Sequence, residues 1–152
     1  MAIRILAVGK RHEAWVASGI ERYEKRLQRP FTTEWMLLPH SAREAAAARQ
    51  EESERLLARL KNDDFVLLLD ERGKLLDSPS FSHVLHAPIE TAKNITIIIG
   101  GAYGVDQRLH ERADFTLALS PLVFPHQLVR LILVEQLYRA QEIAAGRPYH
   151  HE

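Results

Sequence analysis

The chain contains no cysteine. That absence excludes a disulfide framework, a thiolate nucleophile and any zinc or iron–sulfur centre held by Cys ligands. Also missing is a stretch of about eighteen consecutive apolar residues, the length that spans a bilayer as a helix. The opening MAIRILAVGK lacks both the long apolar run and the small-residue cleavage site of a secretory leader. The expectation is a soluble, cytoplasmic, unexported protein. Neither sign of charge is in excess, because 20 Lys+Arg stand against 20 Asp+Glu, so the overall balance carries no nucleic-acid signal. No internal repeat, Gly/Ser linker or break in composition divides the chain. Its 152 residues, 46% hydrophobic, suit one domain spanning 1–152 with a sizeable core.

The charge is unevenly distributed. Residues 1–30 carry seven basic side chains (Arg4, Lys10, Arg11, Arg22, Lys25, Arg26, Arg29) against three acidic ones, and arginine outnumbers lysine fifteen to five in the whole chain. The planar guanidinium fork suits phosphate contacts; the alternative is a solvated helix face.

Five apolar runs have strand length: 3–8 (IRILAV), 34–38 (EWMLL), 65–70 (FVLLLD), 95–100 (ITIIIG) and 115–120 (FTLALS). Between them, 12–29 and 41–61 are rich in Ala, Glu, Arg and Leu and predict helices. Ser41 with Glu44 spells a capping box for the second. Ser78 or Ser80 caps a shorter helix ending before Pro88, 105–113 is another short candidate, and the last helix runs from Pro125 to about Ala145. Strands that are continuously aliphatic and alternate with helices predict an α/β fold, a mostly parallel sheet covered on both faces.

Two stretches carry the functional signal. In IIIGGAYGVD (97–106) a strand ends in Gly100, Gly101 and Gly104, at the end of a parallel strand where open α/β sheets bind ligands. A P-loop is excluded because no lysine follows Gly100, and the dinucleotide fingerprint is excluded by the spacing G-G-A-Y-G with no acidic residue about twenty positions on. A tight turn needing φ > 0 is the plain alternative. In ALSPLVFPHQLVR (118–130) a short apolar loop has few side chains to compete for its backbone N–H and C=O groups. Such a loop suits a flat heteroaromatic with an amide-like edge, for instance adenine, and the lack of lysine suits a ligand without phosphates.

These stretches, with LLLDERGK (67–74), LSPLVFPHQLVRLILVEQLYRA (119–140) and the tail RPYHHE (147–152), resemble the small bacterial ribosomal RNA methyltransferases of the SPOUT superfamily, and more narrowly the RlmH family of pseudouridine N3-methyltransferases of the large ribosomal subunit. The resemblance covers essentially the whole chain. It implies a C-terminal trefoil knot, which pattern reading alone does not suggest because chain connections almost never knot. It also implies the cofactor S-adenosylmethionine, a homodimer, and ribosomal RNA in the assembled ribosome as partner. By motif, the cofactor contacts fall on Leu69, Gly101, Ser120, Pro121, Leu122, Val123, Phe124 and Pro125. The tail residues Tyr149 and His150 match the substrate side and are the catalytic candidates. Arg139 and His126 are substrate-binding candidates; their alternatives are a helix pair with Glu135 and a plain surface histidine. The basic opening segment would contact RNA backbone and set orientation.

The chain departs from the pattern where relatives often have Gly-Gly-Pro-Glu-Gly. Here Ala102 and Tyr103 stand between the glycines, and Tyr103 is placed to cover the cofactor. His151 stands where relatives often have arginine. Methyl transfer needs an aligned nitrogen nucleophile and removal of its proton, by a base or by stabilising the anion. No metal is expected: His83 and His86 lack a third ligand. The competing classes are a dinucleotide-dependent oxidoreductase and a non-catalytic RNA-binding or ribosome-assembly factor that keeps the cleft.

Overall fold

The structure, a computed structural model, describes residues 2–151. Strands β1 (Ile3–Val8), β2 (Thr33–Leu38), β3 (Phe65–Leu75), β4 (Ile95–Ile99) and β5 (Phe115–Ala118) alternate with helices α1 (Ala14–Glu24), α2 (Ala45–Leu57), α3 (Ser78–Glu90), α4 (Gln107–Arg112) and α5 (His126–Ala144). The strands form one sheet in the order β2-β1-β4-β3-β5, and every pairing is parallel. The fold is therefore α/β with helices on both faces.

Period-two alternation within the aliphatic runs explains the layering. Ile3, Ile5, Ala7, Leu67, Leu69, Ile95, Ile97 and Ile99 face α1, α3 and α5, meeting Val16, Ile20, Phe81, Leu85, Leu133 and Leu137. Leu6, Val8, Val66, Leu68 and Ile98 face the other way, onto Leu56 of α2 and Leu109 of α4. Both faces are dry, so no polar alternation survives in the three central strands.

The apolar runs all form strands, but β3 continues past the expected residue 70 to Leu75. Leu69 pairs with Leu117 of β5; after the looped-out Asp70–Gly73, Lys74 pairs with Leu117 again and Leu75 with Ala118. This bulge turns a polar stretch into the continuation of a strand.

Several helix boundaries differ from expectation. Ser41 does not cap α2: its Oγ accepts from Arg43 N, while its own N–H donates to Glu52 Oε2 at 2.9 Å, and the helix starts after Glu44. Helix α3 is capped by Asp77, whose Oδ1 accepts from Ser80 N at 2.8 Å, leaving Ser78 free to donate its hydroxyl to Gln136 on α5. It also runs through Pro88 to Glu90; placing the proline in the last turn confines the lost hydrogen bond to the helix end. Pro125 is the residue before α5, one position earlier than its expected place in the first turn. Among the described residues no helix is long and apolar enough to cross a membrane.

Candidate active site

The carboxyl ends of β3, β4 and β5 converge on an open cleft. Leu69 closes the first paired stretch of β3, Gly100–Val105 leave β4, and the loop 119–125 leaves β5. Leu69, Gly101, Ser120, Leu122, Val123 and Phe124 all line this cleft, with His126 and Val129 from the start of α5. Of the eight residues expected at the cofactor, only Pro121 and Pro125 lie off the wall, within the same loop. Leu122 and Val123 are 72% and 78% exposed, an apolar lip that invites cover. Across from it, Gly104 N donates to Gly101 O at 3.0 Å, and Gly104 takes φ +75°, a conformation that favours glycine. Tyr103 is exposed, with its carbonyl accepting from Arg49 Nε, and does not line the cleft.

The charged groups on the cleft wall are carboxylates, Asp70 and Glu71; no lysine or arginine lines it. Asp70 is held by the N–H and Nε of Arg72 at 2.9 and 3.2 Å, with His110 Nε2 at 3.6 Å. Sequence reading passed over this pair, although LLLDERGK places both at the end of a strand. The His126 imidazole is held below the ordinary value, first by desolvation and then by Arg130. Its ring lines the cleft wall.

His12 is lowered in the same way, by desolvation and then by Arg130. Both rings take up a proton more readily in the unfolded chain than in the folded one. Their contribution to stability is complete above the ordinary imidazole pKa of about 6.5 and is lost as pH falls below it. Urea unfolding between pH 7.5 and 5 should show a falling midpoint, and His126→Gln should flatten that slope.

Two buried charges lie beneath the site. Glu52, 3% exposed, accepts from Ser41 N, while its Oε1 has no hydrogen-bond partner and lies 2.5 Å from where a Cβ on Gly101 would sit. Arg130, 1% exposed, donates to the Lys10 carbonyl at 2.8 Å and to His12 Nδ1 at 3.3 Å, and its Nε is unpartnered. A Cβ on Gly9 would meet Arg130 Nη2 at 3.1 Å, so the glycine of the opening Val8-Gly9 makes room for the guanidinium. Sequence reading missed both charges, since a lone acid in a polar helix and an arginine in an apolar one carry no local mark of burial.

The tail is docked on α5 rather than frayed. Tyr149 packs edge-on against Tyr138 at 4.8 Å and under the Arg139 guanidinium at 4.7 Å, and its hydroxyl donates to Glu135 Oε2 at 2.9 Å. Burial and then Glu135 push the Tyr149 phenol above its usual value, so it stays protonated. Arg139 pairs with Glu135 at 2.7 Å, as the helix-pair alternative has it, and also donates to His150 Nδ1 at 3.1 Å. His150 lines a second cavity, between α3 and α5, whose Leu117 and Leu119 also belong to the first cleft. Of the basic opening residues, Arg4 is taken up by Asp64, whereas Lys10, Arg11, Arg22, Lys25, Arg26 and Arg29 are exposed. His83 and His86 stack on each other and His86 pairs with Glu90; among the described residues no cluster of ligands suits a metal.

A family model described as "Predicted SPOUT methyltransferase" matches residues 1–150. A protein of Anaeromyxobacter sp. named ribosomal RNA large subunit methyltransferase H is 41% identical over 152 residues, 99% of each chain. One of the same name from Acidiphilium cryptum is 42% identical, covering 97% of this chain and 92% of its own. Among solved structures, a probable methylase family protein from Haemophilus influenzae superposes with a TM-score of 0.57 at 15% identity, over 99% of this chain and 70% of that one, which speaks for the fold alone. The cleft at the ends of β3, β4 and β5 thus sits in a chain that belongs to the SPOUT methyltransferase family, among relatives named ribosomal RNA large subunit methyltransferase H.

Proposed function

We propose that the protein transfers a methyl group from S-adenosylmethionine to N3 of a pseudouridine in large-subunit ribosomal RNA, acting in the cytoplasm on the assembled ribosome as a homodimer. One domain, 1–152, with a knotted C-terminal chain path, is part of this reading. The observation that carries it is the character of the cleft, apolar and acidic with no cation on its wall. A ligand bearing sulfonium and ammonium charges and no phosphate matches that wall, whereas the pyrophosphate of a dinucleotide would find no cation on it. The relatives' names support the ribosomal substrate.

When bound, the cofactor supplies an activated methyl group on a sulfonium sulfur. The chain's residues do the rest. Leu69, Leu122, Val123 and Phe124 present apolar surface to an adenine ring, and the backbone of 119–124 offers its edge polar groups. Asp70 and Glu71 favour the cationic end, and the turn at Gly101–Gly104 lets the backbone approach closely. The exposed arginines and lysines of the first thirty residues would neutralise RNA phosphates without reading bases.

Calorimetric titration separates this reading from an oxidoreductase. S-adenosylmethionine should bind and NAD should not; the reverse preference would overturn it. Asp70→Asn with Glu71→Gln should weaken the cofactor about tenfold, roughly 1.4 kcal/mol.

A further inference from the structure

We infer that His150 acts as a hydrogen-bond donor through Nε2, with Arg139 fixing that tautomer, and is not the base that removes the substrate's proton. The inference rests on the methyltransferase reading above and assigns a chemical role within it. A guanidinium only donates, so the 3.1 Å contact from Arg139 Nη1 requires a lone pair on His150 Nδ1. In the neutral ring the proton then sits on Nε2, and no lone pair remains there to accept another.

The guanidinium is itself held in place. Glu135 takes Arg139 Nη2 at 2.7 Å and Nε at 3.4 Å, and Gln136 Nε2 and the Tyr149 hydroxyl donate to the same carboxylate at 2.8 and 2.9 Å. The Tyr149 ring backs the guanidinium face. Tyr149 is equally unsuited as a base, since its proton is committed to Glu135. Glu135 and Tyr149 are thus positioning residues for Arg139, and Arg139 is one for His150.

The imide nitrogen of the target base lies between two carbonyls, so its negative charge, once formed, spreads onto their oxygens. In the step inferred here the N–H bond breaks and its proton passes to water. The nitrogen pair forms the bond to the methyl carbon, and the carbon–sulfur bond breaks with its electrons returning to sulfur. His150 Nε2–H donates to a carbonyl oxygen beside that nitrogen, stabilising the anion from which the transfer starts. The assignment concerns the ring's proton and is the same whichever protomer's cleft the base enters.

Three measurements test it. In ¹⁵N-edited NMR of the ligand-free protein, the His150 ring should show a protonated Nε2 and an unprotonated Nδ1, and Arg139→Met should mix the tautomers. In single-turnover methyl transfer, His150→Gln keeps an N–H donor without a base and should stay within about tenfold of the parent; His150→Ala should lose about a hundredfold or more. The parent rate should climb with pH past 8. A proton found on Nδ1, or His150→Gln as inactive as His150→Ala, would overturn the inference. If the parent transfers no methyl group to any ribosomal substrate, the broader reading fails instead, and the NMR result still decides the tautomer.

Discussion

Gly73→Ala should lower the melting temperature by about 5–10 °C, an amount that corresponds to about 2–3 kcal/mol in a chain of this size. A Cβ there would lie 2.7 Å from the carbonyl carbon and oxygen of Thr116 and from the carbonyl carbon of Leu117, all backbone atoms of β5. No rotamer change relieves that contact. Gly73 ends the looped-out stretch after which β3 rejoins β5, so the strain falls on the second pairing, at Lys74 and Leu75. Asp70 and Glu71 lie in the same loop, and their side of the cleft should shift with it. Gly104→Ala is the comparison. Nothing lies within 4 Å of its added Cβ, and only φ +75° opposes it, so it should cost about 1 kcal/mol. Equal melting shifts for the two variants would show that the close approach to β5 does not matter.

The second large effect is expected at Gly101. Alanine there places a methyl group 2.5 Å from Glu52 Oε1, a buried carboxylate whose other oxygen is held by Ser41 N. Either the carboxylate gives up that bond or the turn moves into the cleft. S-adenosylmethionine affinity should fall at least about tenfold, roughly 1.4 kcal/mol, and more than the melting temperature does. Combining Gly101→Ala with Glu52→Ala removes the obstructing group, so the double variant should bind better than the two single losses predict when added. Strict additivity would mean that Glu52 does not set the position of the turn.

Much of this was legible in the residues. The five apolar runs became the five strands, the three central ones because they are buried on both faces, and the loops after the last two runs became walls of one cleft. The polar end of β3 was not legible, because ERGKL has no strand pattern and is held only by its pairing across the bulge with β5. The capping box at Ser41 failed because a buried acid eleven residues away takes its backbone N–H. At the site, the search for cations in the glycine loop overlooked the carboxylates that give the cleft its sign. Arg139 and His150, eleven positions apart, meet only because Tyr149 folds the tail back on α5.

The account's central claim is tested most directly by methyl transfer from radiolabelled S-adenosylmethionine to ribosomes from a strain lacking this gene, run beside free large subunits and naked RNA. Label in large-subunit RNA, strongest on assembled ribosomes and located at N3 of a pseudouridine, is the expected result. No transfer to any of the three, with cofactor binding intact, would contradict it and leave a cofactor-binding protein that acts on another RNA or does not turn over.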